Sequence, residues 1–252
     1  MIVQDLLDEL RGGILRDTSA LISGNTDQLW TDTRLMSYID QAHIRFARLT
    51  QILRDNTTPT VTQITLVDGQ SEYPLHKAVT AVLSLKYDTD AYNLPRASVD
   101  LLDTRVPTDF PWFDVNQNQI LPPGRPRAWT SDQSLRTLRV YPTPTIAEAG
   151  KILQMRVARL PIATLTALDL FASPEIPEEY HLDMLEWAAY KALSNHEIDA
   201  GVLTDDPRMH PADRHKANFE KAVDEAITEV KRTMFAPTYW DFKSFPGVTY
   251  AR

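Results

Sequence analysis

The strongest constraint on this chain is an amphipathic helical pair over roughly residues 177–234. Pro174-Glu175-Ile176-Pro177-Glu178-Glu179 opens it, with Pro177 suited to a first helical position and the two acids to the positive end of a helix dipole. Leu182, Leu185, Ala189, Ala192 and Leu193 then recur at the spacing of one buried stripe. Asp199-Ala200-Gly201 predicts the stop, and Thr204-Asp205-Asp206-Pro207 a turn. A second helix begins near Pro211, carries Phe219, Ala222, Val223, Ala226, Ile227 and Val230 on one face, and ends by Pro237. Neither helix buries such a face alone, so each needs the other and a third partner.

That partner is expected near the amino end. Thr31-Asp32-Thr33 reads as a cap before Leu35, Ile39, Ala42, Phe46, Leu49 and Leu53, and Trp30 is placed to staple the first turn. A shorter helix with Leu6, Leu7 and Leu10 precedes it and is expected to break at Gly12-Gly13. The fold class that follows is α+β: a helical bundle built from both chain ends, a β-rich insert and an extended carboxyl-terminal arm. The expected divisions are 1–56, 57–173, 174–235 and 236–252.

Within the insert, Thr62, Ile64 and Leu66 alternate with Val61, Gln63, Thr65 and Val67 as a strand would, and Asp68-Gly69 marks a turn. Glu72-Tyr73-Pro74-Leu75 and the run from Ala81 to Tyr87 read as further strands. Residues 94–104 read either as a short helix or as an irregular crossover. Leu135 to Tyr141 and Ile152 to Leu160 both alternate, and the proline-rich loop between them predicts an antiparallel pair.

Composition narrows the function classes. Hydrophobic residues make up 43% and charged residues 24%, ordinary for a globular chain, and no apolar run reaches the ~18 residues of a membrane span. Met1-Ile2-Val3-Gln4-Asp5 lacks the basic and apolar regions of a signal peptide, so a cytoplasmic site of synthesis and no membrane partner are expected. Zero cysteines exclude disulfides, thiolate catalysis and cysteine-bound zinc. A formal charge of -8 argues against a dedicated DNA- or RNA-binding surface. Seventeen prolines against eight glycines favour rigid, extended connections.

Enzyme motifs are scarce: phosphate-cradling glycine loops, a nucleophile elbow and the HExxH pair are all missing from the sequence. No catalytic residue, cofactor or metal is therefore expected. Glu178 and His181 have a di-iron spacing but no second pair, and read as a surface pair in a first helical turn. Asp205, Asp206, His210, Asp213 and His215 gather around one loop and are weighed as a divalent-ion site against a solvated turn; the turn is preferred. His43 and His196 read as structural or exposed. Arg136, Arg139, Arg156 and Arg159 read as one polar sheet face rather than a nucleic-acid surface.

Two aromatic stretches stand apart. Tyr239, Trp240, Phe242, Phe245 and Tyr250 follow no helical or strand period, and Phe110, Trp112 and Phe113 sit in a proline-broken loop. The tail either folds back on its own core or docks on a neighbour. Docking is preferred because aromatics are the favoured interface anchors. The loop is the second candidate contact, for a subunit or a tail component.

Taken in order, these elements resemble the head-to-tail adaptor (connector) proteins of tailed bacteriophages. The likeness is carried by Leu29-Trp30-Thr31-Asp32 leading to Ile39-Asp40-Gln41-Ala42, and by Gly124-Arg125-Pro126-Arg127-Ala128-Trp129. Val140-Tyr141-Pro142-Thr143-Pro144, Arg159-Leu160-Pro161 and Ile176-Pro177-Glu178-Glu179-Tyr180-His181 complete it over nearly the whole chain. The resemblance implies a structural virion protein forming a ring, usually of twelve subunits, beneath the portal protein at the capsid vertex. Its implied partners are the portal, a tail or nozzle protein and copies of itself, with DNA passing through without specific binding. Three other readings remain: a metal-dependent hydrolase using the Asp205–His215 loop, a monomeric interaction module, and another neck or tail-completion protein.

Overall fold

The structure, a computed structural model, describes residues 1–17, 29–88, 90, 92–97, 123–131, 136–200 and 211–235, with the backbone alone for 196–200 and 233–235. It is an α+β arrangement whose helices and sheets bury two separate apolar clusters.

The helix expected after Thr31 is α2, Asp32–Thr50, and the Thr31 hydroxyl accepts from the Arg34 amide at 3.3 Å. It ends at Gln51, whose left-handed backbone (φ 52) lets its amide donate to the Ala47 carbonyl at 3.0 Å. Leu35, Ile39, Ala42 and Phe46 are buried as the spacing predicts. Leu49 is instead exposed, because the last turn points Ala47 and Thr50 inward.

The preceding helix α1, Val3–Asp8, does not break at the glycines. It widens into a π-helical segment, Glu9–Ile14, in which the Leu15 amide reaches back five residues to the Leu10 carbonyl at 2.9 Å. Gly12 and Gly13 sit inside this wider turn, and Leu10 and Arg11 are directed inward from it.

A 3-10 turn at Glu178–Tyr180 leads into α4, His181–Ala200, so Pro177 precedes the helix rather than opening it. Along α4 the buried stripe is Met184, Leu185, Ala188, Ala189 and Ala192, while Leu182 lies exposed on the other side. Helix α5 runs over Pro211–Phe235, with Phe219, Ala222, Val223 and Ala226 buried. The expected turn at 204–207 and Pro237 lie outside the described residues.

Residues of α1, α2, α4 and α5 share one apolar cluster. At its centre the Phe46 ring lies 5.5 Å from Tyr180 and 6.1 Å from Phe219, and Trp187 lies 5.2 Å from Phe219. Small alanines on α4 leave room for these rings to approach one another.

Between the helical segments, the described residues hold a one-turn helix α3 (Pro59–Thr62) and eight strands in two antiparallel sheets. The strands are β1 Arg54–Asp55, β2 Gln63–Thr65, β3 Glu72–Pro74, β4 Val79–Tyr87, β5 Asn93–Leu94, β6 Ala128–Thr130, β7 Thr137–Tyr141 and β8 Ile152–Arg159. The larger sheet runs β1-β8-β4-β5 with β2 also on β8, and the smaller runs β3-β7-β6. Leu138, Val140, Tyr73 and Trp129 of the smaller sheet and Leu85, Leu153, Met155 and Val157 of the larger bury one common cluster.

Two expectations for the insert are corrected. The strands of residues 135–141 and 152–160 are not paired with each other: β7 belongs to one sheet and β8 to the other. Their alternation reports a buried face, and that face is covered by the opposing sheet rather than identifying an edge-to-edge partner. The strand expected from Val61 begins only at Gln63, because Pro59 at a first helical position starts a helical turn through Thr62. Of residues 94–104, those described are extended: Leu94 ends β5 and Arg96 bridges to Trp129.

Candidate functional site

The two clusters meet at an ionic junction. Arg159, the last residue of β8, donates through Nε to Asp55 Oδ2 at 2.9 Å and through Nη1 to Glu175 Oε2. Asp55 Oδ1 accepts from the Thr57 and Thr58 amides at 2.8 and 3.0 Å, and Glu175 Oε1 from the Ile162 and Ala163 amides at 2.7 and 3.0 Å. Burial alone would raise both carboxyls. The surrounding hydrogen bonds, from Thr58 and Thr57 on one and Ala163 on the other, together with Arg159 reverse this and hold both below the usual carboxylate range. At the same strand end the Arg159 amide donates to the Leu53 carbonyl at 2.9 Å, so α2, β1, β8 and the approach to α4 are joined at one point.

The strand arginines thus do not form one polar face. Arg139 on β7 faces Glu72 across the smaller sheet at 3.7 Å, while Arg156 and Arg159 belong to the larger.

A second polar node sits at the amino end. Arg11 donates to Asp17 at 3.0 Å, to the Trp30 carbonyl at 2.9 Å and to Asp32 at 2.5 Å, and Asp17 accepts from the Leu29 amide at 3.0 Å. It fastens the start of α2 to the π-helical segment, which explains why an arginine is buried there.

His181 departs from its expected surface role, and His43 takes the structural one of its two readings. His181 is buried, with Nε2 2.8 Å from the Ile176 carbonyl, and Glu178 is exposed beside the Met1 amino group at 2.8 Å. They are therefore not a surface pair: the 3-10 turn between Pro177 and His181 rotates the ring into the core. His43 is fully buried, and neither ring nitrogen has a hydrogen-bond partner among the described residues. Burial first, and the neighbouring His181 in addition, push its pKa down to about 4 against the opposing pull of Glu175. The unfolded chain takes up this proton near pH 6.5 and the native protein only near 4, so stability falls as pH drops through that window, by on the order of 3 kcal/mol in full. Replacing His43 by leucine is expected to flatten the fall in unfolding free energy between about pH 6.5 and 5 and to raise the midpoint at the lower pH. A leucine variant whose unfolding free energy, from chemical denaturation at each pH, falls between the two values as much as that of the wild type would contradict this.

Of the loop weighed as a metal site, Asp213 and His215 are described. His215 Nδ1 lies 2.6 Å from Glu186 Oε2, an interhelical contact between α5 and α4. Asp205, Asp206 and His210 lie outside the described residues. Among the described residues no group of three or more His, Cys, Asp or Glu is placed to hold a metal ion. No described helix is long and apolar enough to cross a membrane.

The preferred docking residues Tyr239, Trp240, Phe242, Phe245 and Tyr250 lie outside the described residues, as do Phe110, Trp112 and Phe113. One apolar surface feature was not anticipated from the sequence. The segment 165–172 is tied down by the Val3 amide on the Ala172 carbonyl (2.9 Å), the Gln4 amide on the Leu170 carbonyl (3.0 Å) and the Leu165 amide on Asp40 (2.9 Å). Leu165, Leu170 and Ala172 pack on the helical cluster, while Leu168 and Phe171 stand 97% and 85% exposed. A fastened loop presenting two large apolar side chains to solvent is the form of an interface anchor. The available signal was the apolar content of Leu165 to Ala172 within a turn-rich stretch.

The described arrangement holds ionic fastenings and exposed apolar side chains. No curated protein matches the chain. A family model described as SU10 adaptor protein matches residues 1–240, which include every described element. This agrees with the likeness to phage head-to-tail adaptors carried by the Trp30, Trp129 and Pro177 motifs, and the chain belongs to the SU10 adaptor protein family.

Proposed function

We propose that this adaptor forms a ring that joins the portal to the tail and continues the DNA channel in the neck of the virion. The observation that carries the reading is the adaptor-family match over residues 1–240. Ring size follows the resemblance, at about twelve subunits. The helices from both chain ends act as one bundle forming the ring wall, and the β-rich insert of 57–173 faces the tail or nozzle protein. The single buried cluster shared by α1, α2, α4 and α5 supports that division, since it joins these helices into a stiff body. Residues 236–252 serve as the arm, docking through Tyr239, Trp240, Phe242, Phe245 and Tyr250 on the portal or the adjacent subunit. Phe110, Trp112 and Phe113 contact a subunit or the tail, and Leu168 with Phe171 adds a further apolar anchor. A closed ring needs two different surfaces on each subunit, one for each neighbour. The role requires no catalysis, and DNA passes an acidic wall without specific binding.

Replacing Trp240 and Phe242 together by alanine is expected to weaken binding to the portal ring by about a hundredfold or more, as the loss of two interface anchors implies. The unfolding midpoint should stay where it was. Portal binding at wild-type strength would remove the arm from the account.

A further inference from the structure

A ring of this protein faces a difficulty set by its charge. Each copy carries a formal -8, so closing copies against one another brings like-charged bodies together. Setting a positive surface against a negative one offsets that repulsion and fixes the register of the contact.

The fold holds one such positive surface. A groove of about 400 Å³ opens where the end of α2 meets both sheets, lined by Arg48, Lys77, Thr80, Ser131 and Arg136 over a floor that includes Val79. Arg48, Lys77 and Arg136 are all exposed, and among the described residues none of the three has an ion-pair partner. Three cations thus converge on one recess in a chain with 34 acidic and 26 basic residues.

A complementary surface lies on other elements. Asp183 and Glu186 of α4 lie within electrostatic reach of Glu225 on α5, and Glu179 of the 3-10 turn precedes Asp183 by four residues. Burial first, and then Glu225 and Glu186, raise the Asp183 carboxyl above its ordinary value; burial and Glu229 raise the Tyr180 hydroxyl, with Glu179 and Asp183 adding to them. The acids are thus crowded against one another. Within this subunit Glu186 meets His215, and Glu225 faces Lys221 at 3.8 Å on an exposed helix, leaving Glu179 and Asp183 uncompensated among the described residues.

We propose that the groove of Arg48, Lys77 and Arg136 receives the acidic face of Glu179, Asp183 and Glu225 from a second copy of this chain. The contact is head-to-tail, because the two surfaces share no residue, and such a contact closes a ring when its rotation divides a full turn. It rests on the ring reading above and gives that reading its subunit interface. Electrostatic pairing of this kind fixes register and steers the approach of like-charged partners.

The test uses the full chain mixed with portal rings and followed by native mass. The first variant, Arg48→Glu/Lys77→Glu/Arg136→Glu, reverses the groove; the second, Glu179→Lys/Glu225→Lys, reverses the acidic face. All five positions are exposed, so both variants should keep the wild-type unfolding midpoint. Each variant alone is expected to need at least roughly tenfold more protein to complete the ring, since every interface then juxtaposes like charges. An equimolar mixture should recover wild-type assembly, because alternating the two variants restores opposite charges at every contact of an even-numbered ring. Variants that assemble like the wild type would overturn the proposal, as would failure of the mixture to rescue, the result expected if the groove serves DNA or the portal instead. A wild-type chain that never gathers in multiple copies would overturn the ring reading itself and is scored before either variant.

Discussion

Phe46→Ala is expected to destabilise the protein by roughly 4 kcal/mol, among the larger values for a single core truncation. The ring is fully buried and sits where α2 meets Tyr180 ahead of α4 and Phe219 of α5. Removing it deletes a shared wall between helices that are more than a hundred residues apart in sequence, and alanines already line the facing stripe, so little can move in to fill the space. Leu49→Ala, one turn later on the same helix but exposed, should change stability by no more than about 0.5 kcal/mol. Urea denaturation gives both numbers, with the midpoint shifting and the slope constant if the fold unfolds as one unit. Equal effects at the two positions would refute the helical packing described above.

Arg159→Ala is expected to cost about 3 kcal/mol. Its guanidinium bridges Asp55, whose side chain is 4% exposed, and Glu175, which is 23% exposed. Removing one partner of a buried ionic group leaves the others desolvated and unpaired; the expected loss is set at the low end of that range because Glu175 keeps some solvent. Lysine should recover only a fraction of it, since a single ammonium cannot reproduce two separate guanidinium contacts. The pH dependence separates this effect from lost packing. Asp55 and Glu175 are held below their ordinary range, so their contribution is present above the unfolded carboxylate pKa and disappears as pH falls through the native values. The difference between wild type and Arg159→Ala should therefore shrink below about pH 4, where the unfolded carboxyls take up protons. A difference that stays constant down to about pH 3 would point to packing alone.

How far the fold was legible in the sequence depends on the range of the interaction involved. Thr31 as a cap and the spacing of Leu35, Ile39, Ala42 and Phe46 are local properties, and they located the start of α2. Pro211 and the Phe219 to Ala226 stripe did the same for α5. Errors arose where a local signal had two physical outcomes. Gly12-Gly13 suggested a break, yet glycine also tolerates a widened turn, and the helix continued. The alternation of β7 and β8 reported their buried faces but held no information on which strand lies alongside, so two layers were read as one pair. Leu49 and Leu182 fit an apolar period but fell where no neighbouring element covers them among the described residues.

The surface was less legible for the same reason. Arg159 looked like its sequence neighbour Arg156, and only the approach of Asp55 and Glu175 from distant segments makes it a fastening. His43 carried no sign that it would lie in an apolar core without a partner among the described residues. Leu168 and Phe171 became notable only once the backbone bonds to Val3 and Gln4 held their loop outward. The family, by contrast, was readable from the order of short motifs around Trp30, Trp129, Pro142 and Pro177, which a match to the adaptor family over residues 1–240 bears out.

The central claim, that this adaptor assembles on the portal as a ring, is tested most directly by native mass measurement of the purified chain, alone and mixed with portal rings. The account predicts that the portal gains mass in steps of one 28.6 kDa subunit and stops at a fixed complement matched to the portal's own symmetry. A portal whose mass is unchanged in the presence of excess folded protein would contradict it.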